Sequence, residues 1–90
     1  MLTRQEIITA RLYDLIVHRA QQSRDGRAYG LDVPTIIWTL QARYGERPTV
    51  GEVIEGLNRL AFARKIVVRY DPHHGKAIEI IGKVPGKVCG

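Results

Sequence analysis

The chain has 90 residues, which is enough for one small domain and too few for a second hydrophobic core. Fourteen Lys and Arg residues against nine Asp and Glu residues give a formal net charge of +5. A hydrophobic content of 44% with 26% charged residues is typical of a globular domain and argues against wholesale disorder. The longest run without a polar residue covers about four positions from Leu60, whereas a membrane helix needs about 20.

The single cysteine, Cys89, bears on the compartment and on metal binding. One cysteine excludes an internal disulfide and a cysteine-based zinc site within one chain. The first residues show no basic-then-apolar leader, so we expect no secretory signal. These features predict a reduced, cytoplasmic protein with no membrane partner.

The positive charge is concentrated in the last third of the chain. Residues 60–90 contain six basic residues (Arg64, Lys65, Arg69, Lys76, Lys83 and Lys87) against Asp71 and Glu79, a net charge of +4. Such a region attracts polyanions, through counterion release if the partner is nucleic acid. A solubilising surface is the alternative interpretation.

A helix over about residues 4–20 is the first predicted element. Thr3 and Glu6 have the spacing of a capping box, in which each side chain bonds the other residue's backbone N–H. The predicted buried face consists of Ile8, Leu12, Leu15 and Ile16. A weaker apolar stripe lies on the other side and consists of Ile7, Ala10 and Val17. It predicts a second neighbour, either a tail or the second subunit of a homodimer.

A polar, glycine-containing loop over residues 21–30 leads to a second helix. A very short strand is predicted at residues 29–31. Asp32 is placed to cap the helix, Pro34 is tolerated in its first turn, and Gly45 is placed to end it in a left-handed conformation. The predicted buried stripe consists of Val33, Ile37, Leu40 and Tyr44. Trp38 lies at the edge of this stripe, which predicts a core or partly covered interface position.

Helix 3 follows after a turn of only three residues. Thr49 and Glu52 form a second capping box, and the helix is predicted to run to about residue 64. Its predicted buried stripe consists of Val50, Val53, Ile54, Leu57, Leu60 and Ala61. Two helices joined by a tight turn have helix-turn-helix geometry.

The hydrophobic period then changes from helical to alternating. Ile66, Val68 and Tyr70 alternate with their neighbours, as do Ile78 and Ile80, which predicts two half-buried strands. Turn-forming residues at positions 71–75 join them into a hairpin. The domain is expected to cover residues 1–82, and residues 83–90 are expected to form a flexible basic tail.

This order of elements resembles the winged helix-turn-helix superfamily over about residues 3–82. The local resemblance lies in Leu57–Leu60 followed by Ala63–Arg69, the passage from helix 3 into the wing, and in Gly75–Ile80, which closes the hairpin. The resemblance implies an α+β winged helix-turn-helix fold, with three helices followed by a β-hairpin wing. It also implies binding of double-stranded DNA, with helix 3 in the major groove, although a minority of members bind proteins or RNA.

Helix 3 supplies conflicting candidates for DNA contact. Asn58 could pair with adenine and Arg59 with guanine. Glu52 and Glu55 oppose binding, because carboxylates repel phosphates, although Glu55 has the spacing for an ion pair with Arg59. Phe62 is predicted on the same outward side, where it either covers the base of the wing, packs under the tail, or forms part of a protein-binding patch.

The wing supplies the stronger candidates. Backbone contacts are predicted for Arg64, Lys65, Arg69, His73, His74 and Lys76, with Lys83 and Lys87 beyond them. Secondary phosphate candidates are Arg19, Arg24 and Arg27. The adjacent histidines lack obvious further ligands, so no metal site and no cofactor is predicted. The one serine, Ser23, has no histidine near it in sequence, so no enzyme is predicted.

The leading hypothesis is therefore a small DNA-binding transcriptional regulator, with a homodimer interface at Ile7, Ala10 and Val17. The rival hypothesis is a protein-interaction module that uses the outward face of helix 3, formed by Glu52, Glu55, Arg59 and Phe62. Binding of double-stranded RNA or single strands is a weaker third hypothesis, because no exposed pair of aromatic residues is evident for stacking.

Overall fold

A computed structural model describes residues 1–73 and 75–82 and shows three helices with a three-stranded antiparallel sheet. The elements in chain order are α1 (Arg4–Gln22), β1 (Arg27–Tyr29), α2 (Val33–Tyr44), α3 (Val50–Phe62), β2 (Ile66–Asp71) and β3 (Gly75–Ile80). The strands lie in the order β1-β3-β2, with β2 and β3 forming the hairpin that we call the wing. The predicted α+β fold, in a winged-helix-like arrangement, is confirmed.

Both predicted capping boxes are present. The Thr3 hydroxyl accepts from the Glu6 N–H at 3.1 Å, and the Glu6 carboxylate accepts from the Thr3 N–H at 3.3 Å. At the start of α3 the same two bonds join Thr49 and Glu52 at 3.1 and 2.9 Å. Each box satisfies two backbone donors that a helix N-terminus otherwise leaves unpaired, so it fixes where the helix begins.

Both ends of α2 follow the sequence signals. The Asp32 carboxylate accepts from the Thr35 N–H at 2.9 Å, and Pro34 lies in the first turn, where its missing N–H removes no helical bond. Gly45 ends the helix at φ 77°, a left-handed conformation that glycine adopts without strain.

The core lies where α1 crosses the sheet and the other two helices. All four residues predicted for the main α1 face are buried, namely Ile8, Leu12, Leu15 and Ile16. The sheet contributes Ala28, Ile66, Ile78 and Ile80 to the same side. Val68 and Tyr70 follow Ile66 on that face of β2, yet both are exposed, because the wing extends beyond the helices.

The predicted buried stripe of α2 is partly wrong. Ile36, which the prediction omitted, is fully buried beside Ile37 and Leu40. Tyr44 is exposed instead, and its ring lies 4.5 Å from the guanidinium carbon of Arg11. The last turn of α2 therefore faces the side of α1 and not the core.

The predicted stripe of α3 was too wide. Val53, Leu57 and Leu60 are buried, but Val50, Ile54 and Ala61 are exposed. The buried face also includes Gly56, where α3 comes close to α1, and it leaves the flank with Val50, Ile54 and Ala61 open. Because successive residues turn by about 100°, a small rotation of the helix was enough to change which flank is covered.

Three element boundaries also differ from the predictions. α1 continues to Gln22, and β1 occupies residues 27–29 where the prediction had 29–31. α3 ends at Phe62, two residues early, because Arg64 adopts a left-handed conformation with φ 58°. This residue turns the chain from α3 into β2.

Trp38 does not occupy the predicted core position, since its side chain is 72% exposed. It lies over a shallow groove between α2 and the start of α3, whose lining includes Ile37, Arg47 and Val50. Among the described residues, no helix has the length and apolar composition to cross a membrane. The predicted tail, with Lys83, Lys87 and Cys89, lies outside the described residues, as does His74.

The loop between α1 and β1 is held by one carboxylate. Asp25 accepts hydrogen bonds from the Ser23 hydroxyl at 2.6 Å, from the Tyr29 hydroxyl, and from the Arg27 backbone N–H at 3.0 Å. The bonds from Ser23 and then Tyr29 lower the pKa of Asp25 from 3.8 to about 2. They favour the ionised form and orient the entry to β1.

We expect Asp25→Asn to make stability less sensitive to acid. Because the folded state lowers the Asp25 pKa, its carboxylate stabilises the fold above pH 4 and loses that contribution as pH falls toward 2. Urea unfolding at several pH values between 5 and 2 should therefore give a shallower decline for Asp25→Asn than for the parent chain. Asp14→Asn, which also removes one exposed carboxylate, is the matched control and should retain the parent slope.

Candidate nucleic-acid interface

The outward face of α3 brings several predicted residues together. Glu55, Asn58, Arg59 and Phe62 line one shallow depression on the surface of the helix. All four side chains are exposed, and Asn58 lies between Glu55 and Arg59 along the helix, one turn before Phe62. The amide of Asn58 is thus presented to solvent, as the prediction of a base contact requires.

Glu55 and Arg59 form the ion pair that their spacing predicted. Arg59 Nε donates to Glu55 Oε1 at 2.9 Å, and both side chains remain about half exposed. One donor of the Arg59 guanidinium is therefore already bound to Glu55 in the absence of a ligand. At this exposure such a pair contributes little to stability, but it offsets the charge that each residue would present alone.

Glu52 does not belong to the outward face, contrary to the prediction. Arg4 at the start of α1 holds its carboxylate, with Nε at 2.7 Å from Oε2 and Nη2 at 3.4 Å from Oε1. Arg4 also reaches Glu46 in the α2–α3 turn at 3.3 Å. The hydrogen bond from Arg4, followed by the Thr49 backbone bond, lowers the pKa of Glu52. The carboxylate thus joins α1 to α3 and is turned away from the proposed ligand side.

Arg69 is tied to a carboxylate on the sheet. Glu79 on the central strand lies 2.7 Å from Arg69 Nε and 3.8 Å from Arg27 Nε. The strand register explains this, since Glu79 is paired with Arg27 of β1 and lies two positions from Ala77, the partner of Arg69 on β2. These two predicted phosphate contacts are therefore weakened by a carboxylate whose position the sequence did not reveal.

Three of the cations predicted to contact phosphate are not paired with a carboxylate in the described part of the chain. Arg64, Lys65 and Lys76 have no carboxylate within 4.0 Å among the described residues. The Lys65 ammonium lies 5.4 Å from the centre of the Tyr13 ring, which positions the side chain without neutralising it. Two of the three directly follow α3, so their charge adjoins the end of that helix.

Lys76 lies on the wing on the side of α2. Its charge contributes to lowering the pKa of Asp32, after the larger effects of the side-chain and backbone bonds with Thr35. Lys76 is thus close to the N-terminus of α2, where unpaired backbone N–H groups also favour an anion. At the wing tip the exposed His73 donates its backbone N–H to Asp71 at 2.7 Å.

The secondary candidates lie at the other end of α1. Arg19 and Arg27 line a shallow depression with Tyr29, and Arg24 is exposed in the adjoining loop. This cluster belongs to the junction of α1 with β1. It does not line the depression on α3 that contains Asn58.

Exposed apolar side chains are the feature that the sequence identified least well. Phe62 is 92% exposed, so the prediction that it covers the base of the wing is wrong for the described residues. Ile54 is 46% exposed on the same helix, although the sequence placed it in the core. Two large apolar side chains are thus exposed on the outward side of one helix.

The proposed homodimer stripe on α1 is smaller than expected. Val17 packs against the core, Ile7 is half-buried and Ala10 is exposed. Ala10 lines a groove between α1 and the end of α3 together with Tyr13 and Lys65. The homodimer stays a prediction, now resting on Ile7 and Ala10.

Comparison with known proteins found no match among protein-family models, curated proteins or solved structures. Within residues 1–73 and 75–82, no group of three or more His, Cys, Asp or Glu residues could hold a metal ion. What the geometry offers instead is an exposed helix face next to unpaired cations. Such a surface can bind a polyanion.

Proposed function

We propose that this protein is a winged-helix transcriptional regulator that binds duplex DNA, with α3 in the major groove and the wing along the phosphate backbone. The observation that carries the proposal is the position of Arg64 and Lys65. They follow α3 directly, lack an acidic partner among the described residues and lie beyond an exposed Asn58. Since duplex DNA is the proposed partner, a cytoplasmic location is part of the same proposal.

The cations are suited to phosphate contact because of where they lie. Side chains at both ends of a groove-binding helix can fix its register by contacting the backbone, while residues on the helix contact bases. Arg64 and Lys65 supply charge at the C-terminal end of α3, and Lys76 supplies it near the start of α2. The arrangement therefore supports backbone contacts beyond the C-terminal end of α3 and from the wing beside α2.

The carboxylates of α3 oppose this function less than the sequence suggested. Glu52 is bound by Arg4, and Glu55 is bound by Arg59. A paired carboxylate repels a phosphate less than an isolated one, because the field of its partner offsets its own. The outward face of α3 thus carries little net charge, and Arg64 and Lys65 lie beyond its C-terminal end.

Mapping the contact surface by NMR tests this proposal. A short duplex of random sequence added to the ¹⁵N-labelled chain should shift the amide signals of Asn58, Arg64, Lys65 and Lys76 most strongly. Signals from Arg19 and Arg24, at the far end of α1, should change little. Shifts centred on that far end, or no shifts at low salt, would contradict the proposed orientation.

A protein-interaction module is the second candidate, and the exposure of Phe62 favours it. A large apolar side chain beside the Glu55–Arg59 pair makes a mixed surface of the kind found at protein interfaces. This second function predicts that the protein does not bind duplex DNA at low salt. The same NMR titration therefore separates the two functions.

A further inference from the structure

We propose that α3 selects A·T-rich duplexes, with Ile54 and Phe62 contacting thymine methyl groups and Asn58 pairing with adenine. This inference rests on the proposed function, because it concerns the bases that the same helix face would contact. It specifies the substrate class, which the cations cannot determine, since phosphate contacts carry no direct sequence information.

The first support is the alignment of the three side chains. Ile54, Asn58 and Phe62 recur every four residues, so they form one ridge along the outer side of α3, and all three are exposed. Eight residues of helix span about 12 Å, which matches the rise of roughly three to four base pairs. One ridge can therefore follow the edges of successive base pairs in the major groove.

The second support is the chemistry of the ridge. In the major groove an asparagine amide matches the donor and acceptor of adenine, and apolar side chains match the C5-methyl group of thymine. Guanine is contacted best by a bidentate arginine or lysine. α3 has Arg59 as its one basic residue, and Glu55 already accepts from its Nε at 2.9 Å. Contact with guanine would have to break that bond, whereas contact with A·T pairs would not.

The third support concerns what occupies the ridge. A protein partner would also bury Ile54 and Phe62, but it would leave the unpaired charges of Arg64 and Lys65 unexplained at the end of the same helix. DNA accounts for both features, since it is uniformly negative and carries apolar methyl groups at thymine. Charge complementarity therefore favours a duplex as the occupant.

The test removes the methyl groups while keeping charge and base pairing. Binding of a short alternating A·T duplex is compared with that of the same duplex containing deoxyuridine in place of every thymidine. We expect the deoxyuridine duplex to bind about tenfold more weakly, since burial of each methyl group is worth about fourfold in affinity and two are contacted. Phe62→Ala should lower affinity for the thymidine duplex and reduce the difference between the two duplexes.

Trp38→Ala is the matched control, because Trp38 is an exposed aromatic residue like Phe62 but lies on α2, off the ridge. It should retain the full preference for thymidine. Equal binding of the two duplexes by the parent chain, or an unchanged preference in Phe62→Ala, overturns the inference while leaving DNA binding intact. Failure to bind either duplex at low salt overturns the proposed function itself and assigns the ridge to a protein partner.

Discussion

Replacing Gly56 with valine should lower the free energy of unfolding by about 3 kcal/mol. Gly56 is buried where α3 meets α1, and an added Cβ would lie 3.0 Å from Leu12 Cδ2 and 3.4 Å from Thr9 Oγ1. Leu12 is itself completely buried, so it has no free space into which to move. The branched side chain of valine would force the two helices apart.

Gly51 provides a control in the same helix. A Cβ there would meet only Thr49 Oγ1, at 3.9 Å, and the residue is exposed. Gly51→Ala should therefore stabilise the fold by about 0.5 kcal/mol through helix propensity. Urea unfolding of both variants checks whether Gly56→Val lowers the free energy of unfolding while Gly51→Ala raises it. A Gly56→Val variant as stable as the parent chain would show that α1 and α3 do not approach this closely.

Removing the three unpaired cations should have the largest effect on DNA binding. The variant Arg64→Gln, Lys65→Gln and Lys76→Gln should bind a random duplex on the order of 100-fold more weakly at 0.1 M salt, because three phosphate contacts and their released counterions are lost. All three side chains lie at the surface, so the fold should persist in a circular dichroism spectrum.

A second triple variant separates the effect of where the cations lie from the effect of the net charge of the protein. Arg19→Gln, Arg24→Gln and Arg43→Gln remove the same net charge from surfaces away from the end of α3. This variant should lose less than about tenfold in affinity for the duplex, because it weakens only the overall positive potential of the protein. Equal losses in the two triple variants would show that binding depends on net charge and not on the site.

Local signals in the sequence were sufficient to order the elements. Capping boxes at Thr3 and Thr49, the cap at Asp32 and the glycine at position 45 each act within a few residues. Their chemistry can be inferred without knowledge of the tertiary structure. The starts of the helices and the end of α2 were accordingly predicted correctly.

The flanks of α2 and α3 required tertiary information. Ile36 and Ile37 both have helical spacing compatible with burial, and so do Val53 and Ile54. The close approach of α1 at Gly56 decides which flank is covered on α3, and nothing near Ile54 in the chain encodes it. For this reason the sequence did not predict the exposed ridge of Ile54, Asn58 and Phe62, because it placed Ile54 in the core.

The electrostatics of the site also depended on distant residues. The i,i+4 pair of Glu55 with Arg59 was predictable from spacing alone. Arg4 meets Glu52 across 48 positions, and Glu79 meets Arg69 only because β3 lies beside β2 in one register. Sequence therefore identified the candidate cations, whereas the fold determined which of them remain unpaired.

The salt dependence of duplex binding tests the central claim most directly. Fluorescence anisotropy with a labelled random duplex, at roughly 50 to 300 mM salt, gives the slope of the logarithm of affinity against the logarithm of salt concentration. Contacts from Arg64, Lys65 and Lys76 predict a slope of about −3 or steeper. No binding at the lowest salt, or affinity that does not change with salt, would contradict the account of this surface as a site for DNA.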